Sequence, residues 1–154
     1  MNATKPVDAE KVTLESAGVH GYLTILQSLI ARMGTNSSNC KNWCVSLVCA
    51  IVVVIADKGR PSHFWIAITP IAPFLLLDSY YVFLERHFRT VYNNFIRKLH
   101  YGTASVGDVF FIAPRAAIRT TSWSIVNAGG SIAVWPSYAL LAAMLAVVKT
   151  WILA

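Results

Sequence analysis

The apolar residues of this chain fall in blocks, and the blocks change character along its length. From about Thr13 onward, Leu23, Leu26, Ile30 and Met33 recur at spacings of three and four, with Tyr22 and Leu29 widening the stripe. Gln27, Ser28 and Arg32 occupy the other side, so the spacing predicts an amphipathic helix over 12–33. Gly34-Thr35-Asn36-Ser37-Ser38-Asn39 follows, rich in helix breakers and caps. It either ends the first helix and caps the next or forms a polar patch on one continuous helix, and the pattern leaves both open. Trp43 to Ala56 is then almost wholly apolar. Counted from Cys40, this block approaches the ~20 residues that cross ~30 Å of hydrocarbon, which sets a first span at 40–57. Lys41 and Trp43 stand where an interfacial anchor belongs.

A polar turn from Asp57 to His63 leads into a second block, Phe64 to Leu77, extended by Tyr80, Tyr81, Val82 and Phe83. Pro70 and Pro73 lie inside it, so a kink or a local break is expected there. The pattern continues past the block to His100, which predicts one element over 64–100 whose second half leaves the membrane. Residues 101–121, with Gly102, Gly107 and Pro114, read as a connector in which the apolar run Val109 to Ile112 could dip into an interface. A third span is expected at 131–154, with Lys149 near its end placed to snorkel outward. Trp123, Trp135 and Trp151 occupy belt positions around it. The fold class that follows is all-α: a single integral membrane domain with an amphipathic N-terminal helix, a two-span hairpin, a long cytoplasmic juxtamembrane helix and a third C-terminal span.

Composition sharpens this picture. Of 154 residues, 56% are hydrophobic and 13% charged, against roughly 25% charged in soluble domains. A water-soluble fold of this size needs more polar surface to cover its core. The net charge of +6 comes from cations that flank the apolar blocks, which points to anionic lipid and topology rather than to a nucleic acid polymer. Lys5, Lys11, Arg32 and Lys41 precede the first span, and Arg86, Arg89, Arg97, Lys98, Arg115 and Arg119 follow the second; only Lys58 and Arg60 lie in the hairpin turn. Ten cations against two predict that the N-terminus and residues 78–120 face the cytoplasm. Residues 1–20 hold no continuous apolar stretch of the signal-peptide kind, so the internal segments are expected to direct insertion.

Catalytic signatures are missing from the sequence. Cys40, Cys44 and Cys49 are an odd set in an apolar stretch and read as buried small residues rather than as disulfides or zinc ligands. The four histidines show no metal-ligand spacing, and there is no GxSxG, Walker loop or paired carboxylate motif. Neither an enzyme, nor a cofactor, nor a metal site is expected. The candidate chemistry lies in the helix from Asp78 to His100. Asp78, Glu85, Arg89 and Asn93 share one face, and Glu85–Arg89 has the acid-first i,i+4 order worth about 0.2–0.5 kcal/mol. Tyr81, Phe88, Tyr92, Phe95 and Leu99 form the apolar stripe, while Arg86, Arg97 and Lys98 complete a basic surface. A carboxylate at the depth of Asp78 requires a partner: an Arg or Asn of another segment or subunit, a pore lumen, or a ligand. The basic face could hold anionic lipid or, as a ring in an oligomer, a phosphorylated ligand.

The residues Ile30-Ala31-Arg32-Met33, Asn36-Ser37 and Lys41-x-Trp43, followed by Leu77-Asp78-x-Tyr80-Tyr81-x-x-Leu84-Glu85-Arg86-x-Phe88-Arg89-x-x-Tyr92, carry a resemblance. Over residues 22–100 the layout is similar to that of SLATT-type and related small membrane effectors of bacterial antiphage defence. The third span at 131–154 departs from their two-span plan. The resemblance implies an oligomeric effector that forms a pore or disrupts the inner membrane when a signal arrives, with a signalling nucleotide or an operon partner protein as trigger. It implies a structural or gating role for Asp78, Tyr81, Glu85, Arg89 and Tyr92. Two other functions fit the residue pattern: a membrane anchor or scaffold subunit gripping a partner through residues 84–121, and a small transporter using the Pro70/Pro73 break.

Overall fold

The computed structural model describes residues 16–59, 61–110, 131 and 133–151. The expectations for residues 111–130, including Trp123 and most of the connector, lie outside the described residues, as do the first 15 residues and 152–154. Among the described residues three α-helices dominate: α1 (Ala17–Asp57), α2 (Ile71–His100) and α3 (Trp135–Trp151). Short 3-10 helices at Pro61–Ile68 and Val106–Asp108 precede and follow α2. Two helical segments, Ala17–Asp57 and His63–His100, are long and apolar enough to cross a membrane.

The open question over Gly34–Asn39 resolves as one continuous helix of 41 residues, about 62 Å at 1.5 Å per residue. The capping residues there are consumed by other partners. Thr35 donates its hydroxyl back to the Ala31 carbonyl at 3.0 Å, and Ser37 donates across the hairpin to Asp78. Thr35 thus bonds back within the helix and Ser37 across to α2, so neither hydroxyl caps a new helix start. α1 ends at Asp57, where Gly59 takes φ +56 and turns the chain.

The two prolines break the second segment as expected. Pro70 sits immediately before α2, and Pro73 falls in its first turn, where a missing N–H costs nothing. The stretch ahead of them is wound as a 3-10 helix instead. At the other end α2 closes in a Schellman arrangement: Gly102 at φ +64, Thr103 N–H to the Lys98 carbonyl at 2.9 Å, and Gly102 N–H to the Leu99 carbonyl at 3.1 Å.

α1 and α2 form an antiparallel hairpin with two cores. Beside the turn, Cys44, Val48, Ile55, Phe64, Ala67 and Val82 pack with Val134, just ahead of α3, and with Tyr138, Leu141 and Leu145 of α3. In the distal half, here termed the stalk, Val19, Tyr22 and Leu26 of α1 meet Phe88, Phe95 and Leu99 of α2. Tyr22 and Phe95 pack edge to face at 4.9 Å. The chain beyond α2 folds back over the stalk end, burying Ala104 and laying Val109 on the same core. Val109, the first residue of the apolar run 109–112, therefore packs on protein. α3 starts beside the middle of the hairpin and runs toward its turn, where Lys149 Nζ lies 5.3 Å from the Trp65 ring centroid and 5.8 Å from that of Phe64.

Leu26 is fully buried between the two stalk helices. Leu26→Ala should cost about 3 kcal/mol through lost burial and a residual cavity. The expected readout is faster amide hydrogen exchange across residues 19–33 and 88–104, with the α3 contact region unchanged.

Candidate functional site

The helix register decides which side chains meet. Gln27 Nε2 donates to Tyr92 Oη at 3.1 Å, a Cβ on Gly34 would lie 3.6 Å from Glu85 Oε2, and Lys41 Nζ stands 2.9 Å from Asp78 Oδ2. Each pair is centred on the same point between Gly59 and Arg60. Successive pairs are seven residues apart on both helices, so a heptad-like seam runs through stalk and apolar half alike.

The deepest of the three contacts is the site of interest. Asp78 is 0% exposed and the Lys41 side chain 22%. Lys41 Nζ donates to Asp78 Oδ1 at 3.0 Å and to Ser37 Oγ at 2.9 Å, and Ser37 Oγ itself donates to Asp78 Oδ1. Asp78 Oδ2 has the ammonium 2.9 Å away but no donor aligned on it. The Tyr138 hydroxyl of α3 also stands beside Asp78, although it donates to the Phe74 carbonyl at 3.1 Å. Three helices therefore meet at one buried ion pair.

Its position along the helices gives the pair its meaning. On α1, Lys41 is the lone charge between Arg32 and Asp57; on α2, Asp78 is the lone Asp, Glu, Lys or Arg between Phe64 and Glu85. Lys41 lies nine residues beyond Arg32, about 13 Å along the helix axis. An ammonium and a carboxylate at that depth are each costly alone and tolerable together, because the pair is neutral and Ser37 fills a further acceptor site. A lysine bonded to a serine also suggests a nucleophile and its base. Here Ser37 Oγ directs its proton to Asp78 Oδ1, and Lys41 Nζ is itself a donor to both groups.

The sequence candidates divide into three places. Asp78 joins Lys41 and Ser37; its partner from another segment is a lysine where an Arg or Asn was expected. Lys41 is correspondingly not an interfacial anchor, because its ammonium turns inward to the carboxylate. Glu85 and Arg89 form the expected ion pair at 2.8 Å on the stalk, with Arg86 exposed, Tyr81 half-buried against Tyr80 and Tyr92 bonded to Gln27. The shared face is only partial: Asp78 is buried, while Arg89 and Asn93 are exposed. Arg97 and Lys98 stand at the stalk end, far from Asp78 along α2.

There they flank an open cleft of about 330 Å³ lined by Tyr22, Val91, Asn94, Phe95 and Asp108. Arg97 bonds Asn94 Oδ1 at 2.9 Å, and Lys98 is tied to Asp108. Asp108 also accepts from the Ser105 backbone and hydroxyl, closing a capping box. The Lys98 contact, then the Ser105 backbone N–H, hold the Asp108 carboxyl below its ordinary 3.8. Phe110, next to this cleft and packed 5.8 Å from Tyr22, adopts φ +61, an uncommon conformation for a side chain of that size.

No known protein family matches the chain, and neither a curated protein nor a solved structure is significantly similar to it.

Sequence reasoning missed Lys41, Ser37 and Tyr138. The signal for the first two was available: Ser37 and Lys41 share a helix face, and Lys41 and Asp78 are almost equally far from Gly59. Tyr138 had no such signal, since nothing in the spacing says where α3 docks.

Two outcomes check the site. Lys41→Met or Asp78→Leu alone should cost about 3 kcal/mol by stranding one buried charge, whereas the double variant should recover most of it; thermal unfolding in detergent reads this. Asp108, whose carboxyl is held low when folded, stabilises the stalk end above pH 3.8 and loses that contribution as pH falls through and below this value. Hydrogen exchange at residues 101–110 should therefore become more alike in wild type and Asp108→Asn as pH is lowered from 7 to 3.

Proposed function

We propose that this chain is an integral protein of a bacterial inner membrane and that it works as a membrane effector, in oligomeric form, whose permeability is held off by the Lys41–Asp78 pair. The observation that carries the reading is the placement of that pair inside an otherwise uncharged zone of a hairpin long enough to cross a bilayer. Ionisable residues at such depth are rare and mark conduction paths, relays or counter-ion latches. A neutral pair inside one subunit suits a closed state. Separating the two groups would leave an ammonium and a carboxylate that demand water, and water in the bundle is a leak.

The surrounding features support the same reading. Large apolar side chains such as Trp43, Val53, Trp65, Leu76 and Leu140 are exposed around the apolar half, which suits contact with lipid or with further copies. The stalk, on the side assigned to the cytoplasm by the balance of Lys and Arg, offers the cleft beside Arg97 and Lys98 to a triggering ligand. The layout's resemblance to SLATT-type effectors agrees with a triggered membrane activity. Self-association rests on the exposed apolar faces, because Asp78 and Ser79 find their partners within the chain: Ser79 donates to the Leu75 carbonyl at 2.6 Å.

A second reading, a scaffold subunit that anchors a cytoplasmic partner, is favoured by that same open cleft. It predicts a stoichiometric partner on the stalk and no ion flux under any condition.

Ion flux through proteoliposomes separates them. Asp78→Asn or Lys41→Met should raise basal flux at least about tenfold, as removing one partner biases the closed form by several kcal/mol. Flux equal to that of protein-free vesicles for wild type and both variants, with the protein inserted, would end the effector reading.

A further inference from the structure

At the turn end of the bundle a groove of about 200 Å³ runs between the 3-10 helix and α3. Its walls are apolar: Phe64, Trp65, Ile68 and Ile71 on one side, Ala142 and Ala146 on the other. The small alanines keep it open where larger side chains on α3 would fill it. Its one charged lining residue is Lys149. No carboxylate pairs with Lys149 among the described residues. Its ammonium rests instead over the Trp65 and Phe64 rings, 5.3 and 5.8 Å from their centroids. A ring face attracts a cation but leaves its N–H donors free for an anion. From Lys149 to Ala142 the groove extends seven helical residues inward, about 10 Å.

We propose that this groove holds one acyl chain of an anionic phospholipid whose phosphate sits on Lys149. The proposal rests on the membrane reading, because it needs the turn end to lie at a bilayer surface. Charge and shape point the same way. An unpaired cation at the mouth of an apolar slot complements a molecule with an anionic head and a hydrocarbon tail. The aromatic pair at the mouth sits where amphipathic rings meet headgroups, and the slot admits a chain but not a helix.

The test uses the full chain. Flotation with liposomes after an alkaline wash first establishes insertion. Delipidated protein in mild detergent is then titrated with phosphatidylglycerol and with phosphatidylcholine of the same acyl chains, and bound lipid is counted by native mass spectrometry. One phosphatidylglycerol per chain is expected, retained about fivefold more strongly than phosphatidylcholine, the scale of one cation at a membrane surface. Lys149→Gln should bring the ratio to about one, while Lys149→Arg and, at the nearby turn, Lys58→Gln should keep it. Ala146→Phe, which fills the slot, should remove the tightly held lipid of either headgroup.

Insertion with no headgroup preference in wild type, or with the same preference in Lys149→Gln, overturns the proposal and leaves the membrane reading standing. A lipid-free dimer that masks the groove also overturns it. Failure to float overturns both.

Discussion

A lysine and an aspartate that share an apolar interior cannot be positioned independently, and this constraint organises the hairpin. Lys41 and Asp78 come together only if α1 and α2 return on each other about a point just past Gly59. That register also brings Gln27 to Tyr92 and Gly34 to Glu85. Sliding α2 by one heptad would set Asp78 opposite Gly34 in one direction or opposite Val48 in the other, and either way leave the buried carboxylate without a counter-ion. Apolar packing alone discriminates poorly between such registers, because most seam positions would still meet a hydrophobic neighbour. A buried pair adds little net stability over apolar residues of like volume, yet it excludes the slipped alternatives. Register specificity is the structural role of the pair.

The two halves of the hairpin solve different problems with one seam. In the stalk, the buried stripe is backed by charged and polar residues, and the end is closed by a helix stop, a reversal and the Lys98–Asp108–Ser105 cluster. Near the turn, the helices are apolar on their outer faces as well as the inner ones, and α3 joins to form a third wall. The change of outer surface falls between the Glu85–Arg89 level and the Lys41–Asp78 level. A helix whose exterior switches solvent while its interior seam stays constant fits passage from water into hydrocarbon.

Much of this architecture was legible in the residues. The 3.6-residue periodicity of 22–33, the unbroken apolar run to Ala56 and the proline pair each give a local cue, and the structure follows all three. The Glu85–Arg89 pair was legible too, since i,i+4 geometry is fixed within one helix. What was not legible depended on contacts between helices or on hydroxyls with two possible uses. The Gly34–Asn39 stretch looks like a helix boundary because Ser, Thr and Asn cap helices well. Only the arrival of Asp78 from α2 decides that Ser37 faces inward and the helix continues. Lys41 has the look of an anchor because it stands two residues from Trp43 at the edge of the apolar run. That inference used its neighbours in sequence, while its partner lies across the hairpin.

The unbroken length of α1 has a mechanical consequence. With no joint between its ends, the helix acts as a stiff beam crossing the level of the ion pair, with arms of about 36 Å toward Ala17 and 24 Å toward Asp57. Prying the stalk tips apart would therefore apply torque about the salt-bridged fulcrum, tilting the far arm against α3 instead of dissipating at a hinge. Force applied at the stalk has a direct route to the packing near the turn, and the ion pair is the point it has to act through.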